Sequence, residues 1–347
     1  MKKRFQLFLF SLFLFIHSYS QNNISTDSSL EKRYIVAFLQ LENCLKQNKT
    51  FKEAVFTAEN CFDETTQPYE AYNPLIMGYI NIAKKLYNQQ KLVGYKSIDS
   101  TNFTINSSIY KLLKDTTILK IDSIKIPLPP FTYNFADPLG DQNITNTFVT
   151  KLLATQQGNC RSLSYLYKIL ADEMGAKCWL ALAPGHIYIK NYSEKIGWYN
   201  TELTSGSFPT DAWLMATTYI SPEAVKSGLY MDTLSNQQAI ALCVFDLAKQ
   251  YEFQTHNYND GFILNCCDLV LKYHPVNPMA LLLKAETLKK IYMHETTMKY
   301  PKITGTLNEM KSAYVELAKL GYREMSDKMY TKWLKSMEDQ KKNSIGK

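Results

Sequence analysis

The sequence predicts an α+β fold: one helix bearing Cys160 packed on a small antiparallel sheet, set between an N-terminal and a C-terminal helical region. Three observations carry this. Residues 178–183, 186–191 and 198–203 are short apolar or alternating runs, separated by Pro184-Gly185 and by a polar stretch over 192–197, which is the punctuation of strands and turns. Just before them, Leu163, Leu166, Tyr167, Leu170 and Met174 recur at helical spacing, and the stripe stops at Gly175. On both sides of this block the chain runs in longer segments of helical character.

Taken in order, Lys2, Lys3 and Arg4 precede an almost wholly apolar run over 5–16, and His17-Ser18-Tyr19-Ser20 follows. That layout predicts a secretory signal peptide over residues 1–20, with an apolar run of about a dozen residues, too short to span a bilayer. The expectation is an exported protein, periplasmic or extracellular, with no stable membrane anchor after cleavage. Loss of the three basic residues lowers the formal net charge from +7 to +4. The remaining lysines are scattered, so nucleic-acid binding has no support.

Residues 21–117 read as helical, with segments at 34–45, 51–62, 72–87 and a short one at 107–114. Isoleucines alternating with polar residues, and Pro127, Pro129 and Pro130, make 118–147 an extended connector. The core spans 148–232, opening on a helix at 148–153 that ends at Gln156-Gln157-Gly158. Residues 233–347 return to helices, at 237–251, 262–273, 280–292 and 307–320. There Tyr273-His274-Pro275-Val276-Asn277-Pro278 resembles the join between tetratricopeptide repeats, although the repeat period is poorly kept.

Seven cysteines in an exported chain of 347 residues do not make a disulfide scaffold. Cys44 and Cys61 sit on two helical stretches joined by a short link and are the candidate disulfide. Cys178 falls in a strand, and Cys243, Cys266 and Cys267 fall on helices, where a thiol is ordinarily core. An odd total leaves at least one thiol unpaired, and Cys160 is the candidate. No His/Cys spacing suggests a metal site and no cofactor is implied.

Cys160 opens a helix after Gly158 and the N-cap candidate Asn159. Unpaired N–H groups and the positive end of the helix dipole stabilise a thiolate there, and the same groups can receive an oxyanion. Gln156, Gln157 and Asn159 are candidate side-chain donors to that oxyanion. A hairpin closing at Glu194 would pair Lys190 with Trp198, Tyr188 with Asn200 and His186 with Glu202. His186 and Glu202 then share one face, so the acid holds the imidazole while its far nitrogen reaches Cys160. Asn200 lies on the same face. Trp198, Trp213, Tyr219 and Tyr230 are the candidates for shaping a substrate groove.

Gly-Asn-Cys-Arg-Ser-Leu at 158–163, Pro-Gly-His-Ile-Tyr-Ile at 184–189 and Trp-Tyr-Asn-Thr-Glu-Leu-Thr at 198–204 resemble the transglutaminase-like superfamily, a branch of the papain-like fold. The resemblance covers about residues 148–232, and is to exported bacterial members with helical flanks and a tetratricopeptide-like tail. It implies a nucleophile at Cys160 and a general base at His186. The third member is usually aspartate four residues after a tryptophan. Here Glu202 stands at that spacing from Trp198, and Asn200 is the alternative orienter, as asparagine is in papain-like proteases.

The resemblance further implies acyl transfer on a peptide or protein substrate, with hydrolysis the commoner outcome among bacterial members and cross-linking the minority one. Two rivals stand beside this expectation. One is a non-catalytic binding module whose helical tail takes a protein partner; the other is a helical scaffold in which the Cys–His–Glu order is coincidental.

Overall fold

The computed structural model describes residues 28–63, 69–90, 92–121, 124–298 and 303–345, so the signal peptide expected over 1–20 lies outside the described residues. The architecture is mixed helix and sheet, predominantly helical. Helices α1 (Ser28–Gln47) and α2 (Phe51–Asn60) form a hairpin whose second arm starts on Thr50, the side chain of which accepts from the Glu53 N–H at 3.2 Å. Helix α3 (Asn73–Gln89) starts with a proline in its first turn, the position where the missing N–H costs nothing. It packs on α4 (Ser100–Lys114) through Ile76, Ile80 and Ala83 on one side and Ile105, Ile109 and Leu112 on the other.

Helix α4 begins seven residues earlier than the sequence predicts. Its first half is a run of Ser, Thr and Asn that carries little apolar signal. In the fold these side chains bond back to the preceding turn, Thr104 Oγ1 to Ser100 O and Ser108 Oγ to Thr104 O, both at 2.7 Å. The connector also gains structure. Strands β1 (Thr117–Ile121) and β2 (Ile124–Leu128) pair antiparallel, with Thr117 opposite Leu128. Strand β3 (Thr132–Tyr133) pairs parallel with β4 (Gln157–Gly158), bringing the connector against the segment that precedes Cys160.

Helix α5 (Val149–Thr155) receives its N-terminus on Glu59, whose two carboxylate oxygens accept from Val149 and Thr150 N–H at 2.7 and 2.9 Å. It ends on Gln156 in the left-handed region, and β4 leads directly into α6 (Cys160–Glu173). Nearly the whole of α6 is buried, and it lies against a three-stranded sheet in the order β5-β6-β7: Trp179–Ala183, His186–Ser193 and Gly197–Thr201. Pro184-Gly185 make the tight turn between β5 and β6, with Gly185 at φ +62°. Two short helices that the sequence reading does not contain follow, α7 (Asp211–Thr218) and α8 (Pro222–Lys226).

The β6–β7 register differs from the expected one. Ser193 faces Gly197, Tyr192 faces Trp198 and Lys190 faces Asn200, so the hairpin closes around Lys195 rather than Glu194. Each residue is displaced by two positions relative to its expected partner. Because side chains alternate with period two, a shift of two keeps every side chain on its expected face.

Helices α9 (Asn236–Thr255), α10 (Phe262–Tyr273), α11 (Pro278–Met298) and α12 (Ile303–Lys319) pack consecutively, each on its chain neighbour. At the α10–α11 join, Asn277 Oδ1 accepts from Met279 and Ala280 N–H, and its amide nitrogen meets His274 Nδ1 at 3.0 Å. This region is not a separate tail. Helix α9 packs against α1 and α2, Met231 and Leu234 N–H donate to Leu182 and Leu180 O of β5, and one hydrophobic core runs from Tyr34 to Leu283. The last helix, α13 (Asp327–Ile345), returns to the sheet. Among the described residues no helix is long and apolar enough to cross a membrane.

Candidate functional site

The site is built at the N-terminus of α6. Gly158 has no room for a side chain: a Cβ would lie 2.2 Å from Ser162 Oγ. That hydroxyl accepts from the Asn159 N–H, while Asn159 Oδ1 accepts from the Arg161 and Ser162 N–H groups, a complete capping box. Among the described residues the Cys160 N–H is left as the free donor of this first turn. The loop after β3 secures the same corner. Asp137 accepts from Asn143 N–H and Asn146 Nδ2, and Asn146 O accepts from both Asn159 N–H and Ser162 Oγ–H.

His186 opens β6, directly across the tight turn from Ala183. Its Nε2 meets Glu202 Oε2 at 2.6 Å, with both side chains essentially inaccessible to solvent. The contact is diagonal. Continued by one residue, the strand register would set Glu202 opposite Tyr188, two positions from His186. Glutamate carries one more methylene than aspartate, and that length spans the diagonal. The other Glu202 oxygen accepts from Thr204 N–H at 2.7 Å, which fixes the carboxylate from behind.

The remaining ring nitrogen, Nδ1, is buried and has no full hydrogen bond. It is the nitrogen left for Cys160, whose charge and side chain act on the ring. Burial on its own would raise the Cys160 thiol. The charge of His186 and its polar contact outweigh that, helped by the Ile187 backbone N–H and by Arg161, and the thiol lies below its ordinary value. Burial would lower His186, but Glu202 and then Cys160 raise it, to about 10. Glu202 in turn is held below the usual carboxylate range by His186 and Thr204, against the opposing effect of burial. All three directions favour the charged forms: thiolate, imidazolium and a buried carboxylate.

Arg161, next to Cys160, was not singled out by its sequence context. Its guanidinium meets Asp246 of α9 at 2.5 Å and the Tyr165 hydroxyl at 3.1 Å, tying α6 to the C-terminal helices. A signal for it does exist: Asp246 is the lone acid in the apolar run 239–248, and a charge inside such a helix needs a buried partner.

The other expected residues sort clearly. Asn200 is not an orienter, because its amide donates to Pro209 O at 3.0 Å and to Asp211 at 2.6 Å, away from the imidazole. Asn159 lines the cavity beside Cys160, but its Nδ2 is spent on Pro138 O and its Oδ1 on the helix. The Gln156 side chain meets the Tyr79 hydroxyl, and Gln157 is exposed in β4; neither lines the cavity. Cys44 and Cys61 form no disulfide: both are buried free thiols, and the Cys61 sulfur points to Ala58 O.

The groove aromatics are corrected too. Trp198 packs on Trp179 and Tyr192 at the far end of β7, half exposed. Trp213 and Tyr219 belong to α7 and its cap, outside the cavity lining. Position along the chain did not translate into position around the site. Tyr230 does line a cavity.

Two cavities, of about 550 and 490 Å³, meet at Gly185 and share Leu139, Phe245, Lys249, Glu252, Met279 and Lys290. The first contains Cys160 and His186; the second runs on past Tyr230 to Tyr330. Their outer wall is supplied by α9 and α11, so the C-terminal helices form part of the groove. Above the imidazole, the Trp333 ring of α13 stands edge-on at 4.7 Å. Among the described residues no group of three or more His, Cys, Asp or Glu is placed to hold a metal ion. No protein-family model, curated protein or solved structure matches this chain.

Proposed function

We propose that this chain is a cysteine-dependent acyl-transfer enzyme of the transglutaminase-like type, hydrolysing an amide or peptide bond through Cys160, His186 and Glu202. The observation that carries the reading is the buried 2.6 Å contact of Glu202 with His186 Nε2, which leaves Nδ1 for a thiol at a helix N-terminus. The papain-like description of the core rests on the same arrangement: a nucleophile helix laid on an antiparallel sheet, with the base on the strand beneath it. The proposed setting is outside the cytoplasm, on the strength of the expected leader.

In this reading the Cys160 thiolate attacks the carbonyl carbon, a C–S bond forms, and the carbonyl π electrons move to oxygen. The Cys160 N–H is placed to receive that oxyanion. Collapse breaks the C–N bond, and the imidazolium gives its proton to the leaving amine. His186, now neutral, takes a proton from water as the water oxygen attacks the thioester carbon; the C–S bond then breaks with its electrons on sulfur, releasing the acid and restoring the thiolate–imidazolium pair. Glu202 keeps the ring oriented and charge-balanced throughout. The groove formed by the two cavities offers an extended chain a path across Cys160.

The test is the pH dependence of Cys160 alkylation by iodoacetamide in wild type and His186→Ala, with all seven thiols followed by mass spectrometry. Selective labelling well below pH 8 that is lost in the variant supports the proposal and opens a screen of peptide substrates. An ordinary thiol titration, unchanged in the variant, refutes it and leaves the binding-module reading.

A further inference from the structure

We propose that Tyr330, delivered by the C-terminal helix α13, is a further catalytic residue: its hydroxyl donates to the oxygen of the carbonyl that Cys160 attacks, opposite the Cys160 N–H. The inference rests on the acyl-transfer reading and adds a second donor to it.

Helix α13 is otherwise strongly charged, yet it presents Tyr330, Trp333, Leu334 and Met337 at i, i+3, i+4 and i+7. Trp333 and Met337 are fully buried, so this face is docked. It docks on the candidate site. Trp333 sits over the imidazole, and Tyr330 lies beside Trp333, with ring centroids 5.6 Å apart. The edge of the Tyr330 ring lies so near Gly185 that a Cβ there would meet it at 3.3 Å, and Gly185 lines the same cavity as Cys160 and His186.

The Tyr330 hydroxyl is buried and makes no full hydrogen bond, the Tyr133 hydroxyl being the polar side chain that acts on it. Its surroundings say what it faces. Tyr330 and Tyr133 both lie within the field of the Cys160 sulfur, which acts on each to raise it. A phenol has one proton to donate. The Tyr133 O–H faces Pro138 O at 3.3 Å and the Tyr330 oxygen, which accepts from it, so the Tyr330 proton itself is uncommitted. A buried, uncommitted donor close to a nucleophile is what a developing oxyanion requires. Attack on the carbonyl creates that charge, Tyr330 O–H shares its hydrogen with it, and the phenol keeps its proton through the step.

The role separates two reactions of one thiol. Displacement of iodide from iodoacetamide builds no oxyanion, whereas transfer of acetyl from p-nitrophenyl acetate does. In Tyr330→Phe, release of nitrophenolate in the acylation phase is expected to slow on the order of 100-fold. Alkylation of Cys160 is expected to keep its rate and its pH profile. Since the lost hydroxyl makes no full hydrogen bond, the thermal midpoint should hold, whereas a structural role would lower it.

Tyr188→Phe is the control, because Tyr188 also carries a buried hydroxyl that makes no full hydrogen bond but lies in the field of Asp211 and Glu202, not of Cys160. Equal slowing of both reactions in Tyr330→Phe, slowing of neither, or the same slowing in Tyr188→Phe would overturn the proposal. An ordinary thiol titration of Cys160 in wild type would remove the acyl-transfer reading itself, and this proposal with it.

Discussion

Cys160 and Cys178 lie at the two ends of one helix–strand unit, Cys160 opening α6 and Cys178 standing just before β5, and both are almost wholly buried. Their thiols move in opposite directions. Burial pushes Cys178 up to about 12, with Lys168 opposing it and Asp172 adding to it. Cys160 suffers the same desolvation but is brought below its ordinary value by His186. Cys44, Cys61, Cys243, Cys266 and Cys267 all follow Cys178, with burial the first cause in each. Burial alone therefore raises a thiol, and the histidine backed by a carboxylate is what sets Cys160 apart from the other six.

The most direct way to break the comparison is to remove the cation. In His186→Ala only burial and the helix terminus remain, so Cys160 should titrate toward Cys178. Alkylation at pH 6.5 is expected to fall on the order of 100-fold, because the thiolate fraction falls once its cation is gone. The labelling ratio of Cys160 to Cys178 measures it directly, and a ratio that survives the substitution would show that the histidine is not the cause.

Removing the carboxylate should act in the same direction but less strongly. Glu202→Gln keeps a hydrogen-bond partner for Nε2 and loses the charge, so a decrease on the order of tenfold in alkylation at neutral pH is expected, with the alkaline limb moved to lower pH. The pair also leaves a mark on stability. His186 is raised, so its contribution is complete below the free-histidine value and is lost as pH rises through about 10. Glu202 is lowered, so its contribution is present above the free-glutamate value and is lost as pH falls through the depressed one. The stability gap between wild type and Glu202→Gln, measured by urea unfolding, should be widest near pH 6 and narrow toward pH 10 and toward acid.

A third substitution separates the helix terminus from the histidine. Gly158→Ala pushes a methyl onto Ser162 Oγ and breaks the capping box on which the Cys160 turn rests. The expected cost is about 1–3 kcal/mol, seen as a lower thermal midpoint. Cys178, not being at a helix start, should keep its reactivity. Trp198→Ala should do least: less than about 1 kcal/mol from the lost contacts with Trp179 and Tyr192, and no change in Cys160 labelling.

The site was partly readable because much of it is local. Gly158, Asn159, Cys160 and Ser162 make their own turn, and strand parity put His186 and Glu202 on one face even though the expected register was two residues out. The misses have physical causes. Asn200 shares that face but is drawn to Pro209 and Asp211 by a loop whose course no periodicity records. Trp198 is close to Glu202 in sequence but not in space, because a strand carries side chains four residues apart well over about ten ångströms from each other. The aromatic stripe of α13 is plain in the sequence, yet nothing local says that it docks more than a hundred residues back, over His186.

Local sequence sets the helix terminus at Cys160, the tight turn before His186, the helical character of both flanks and the shared face of His186 and Glu202, all consequences of backbone periods and caps within a few residues. What only the tertiary structure decided is the pairing of Arg161 with Asp246, the walls that α9 and α11 give the groove, the free state of Cys44 and Cys61, and the arrival of Tyr330 and Trp333. These depend on how distant apolar faces pack into one core, and packing matches shapes whose partners are not written near one another in the chain.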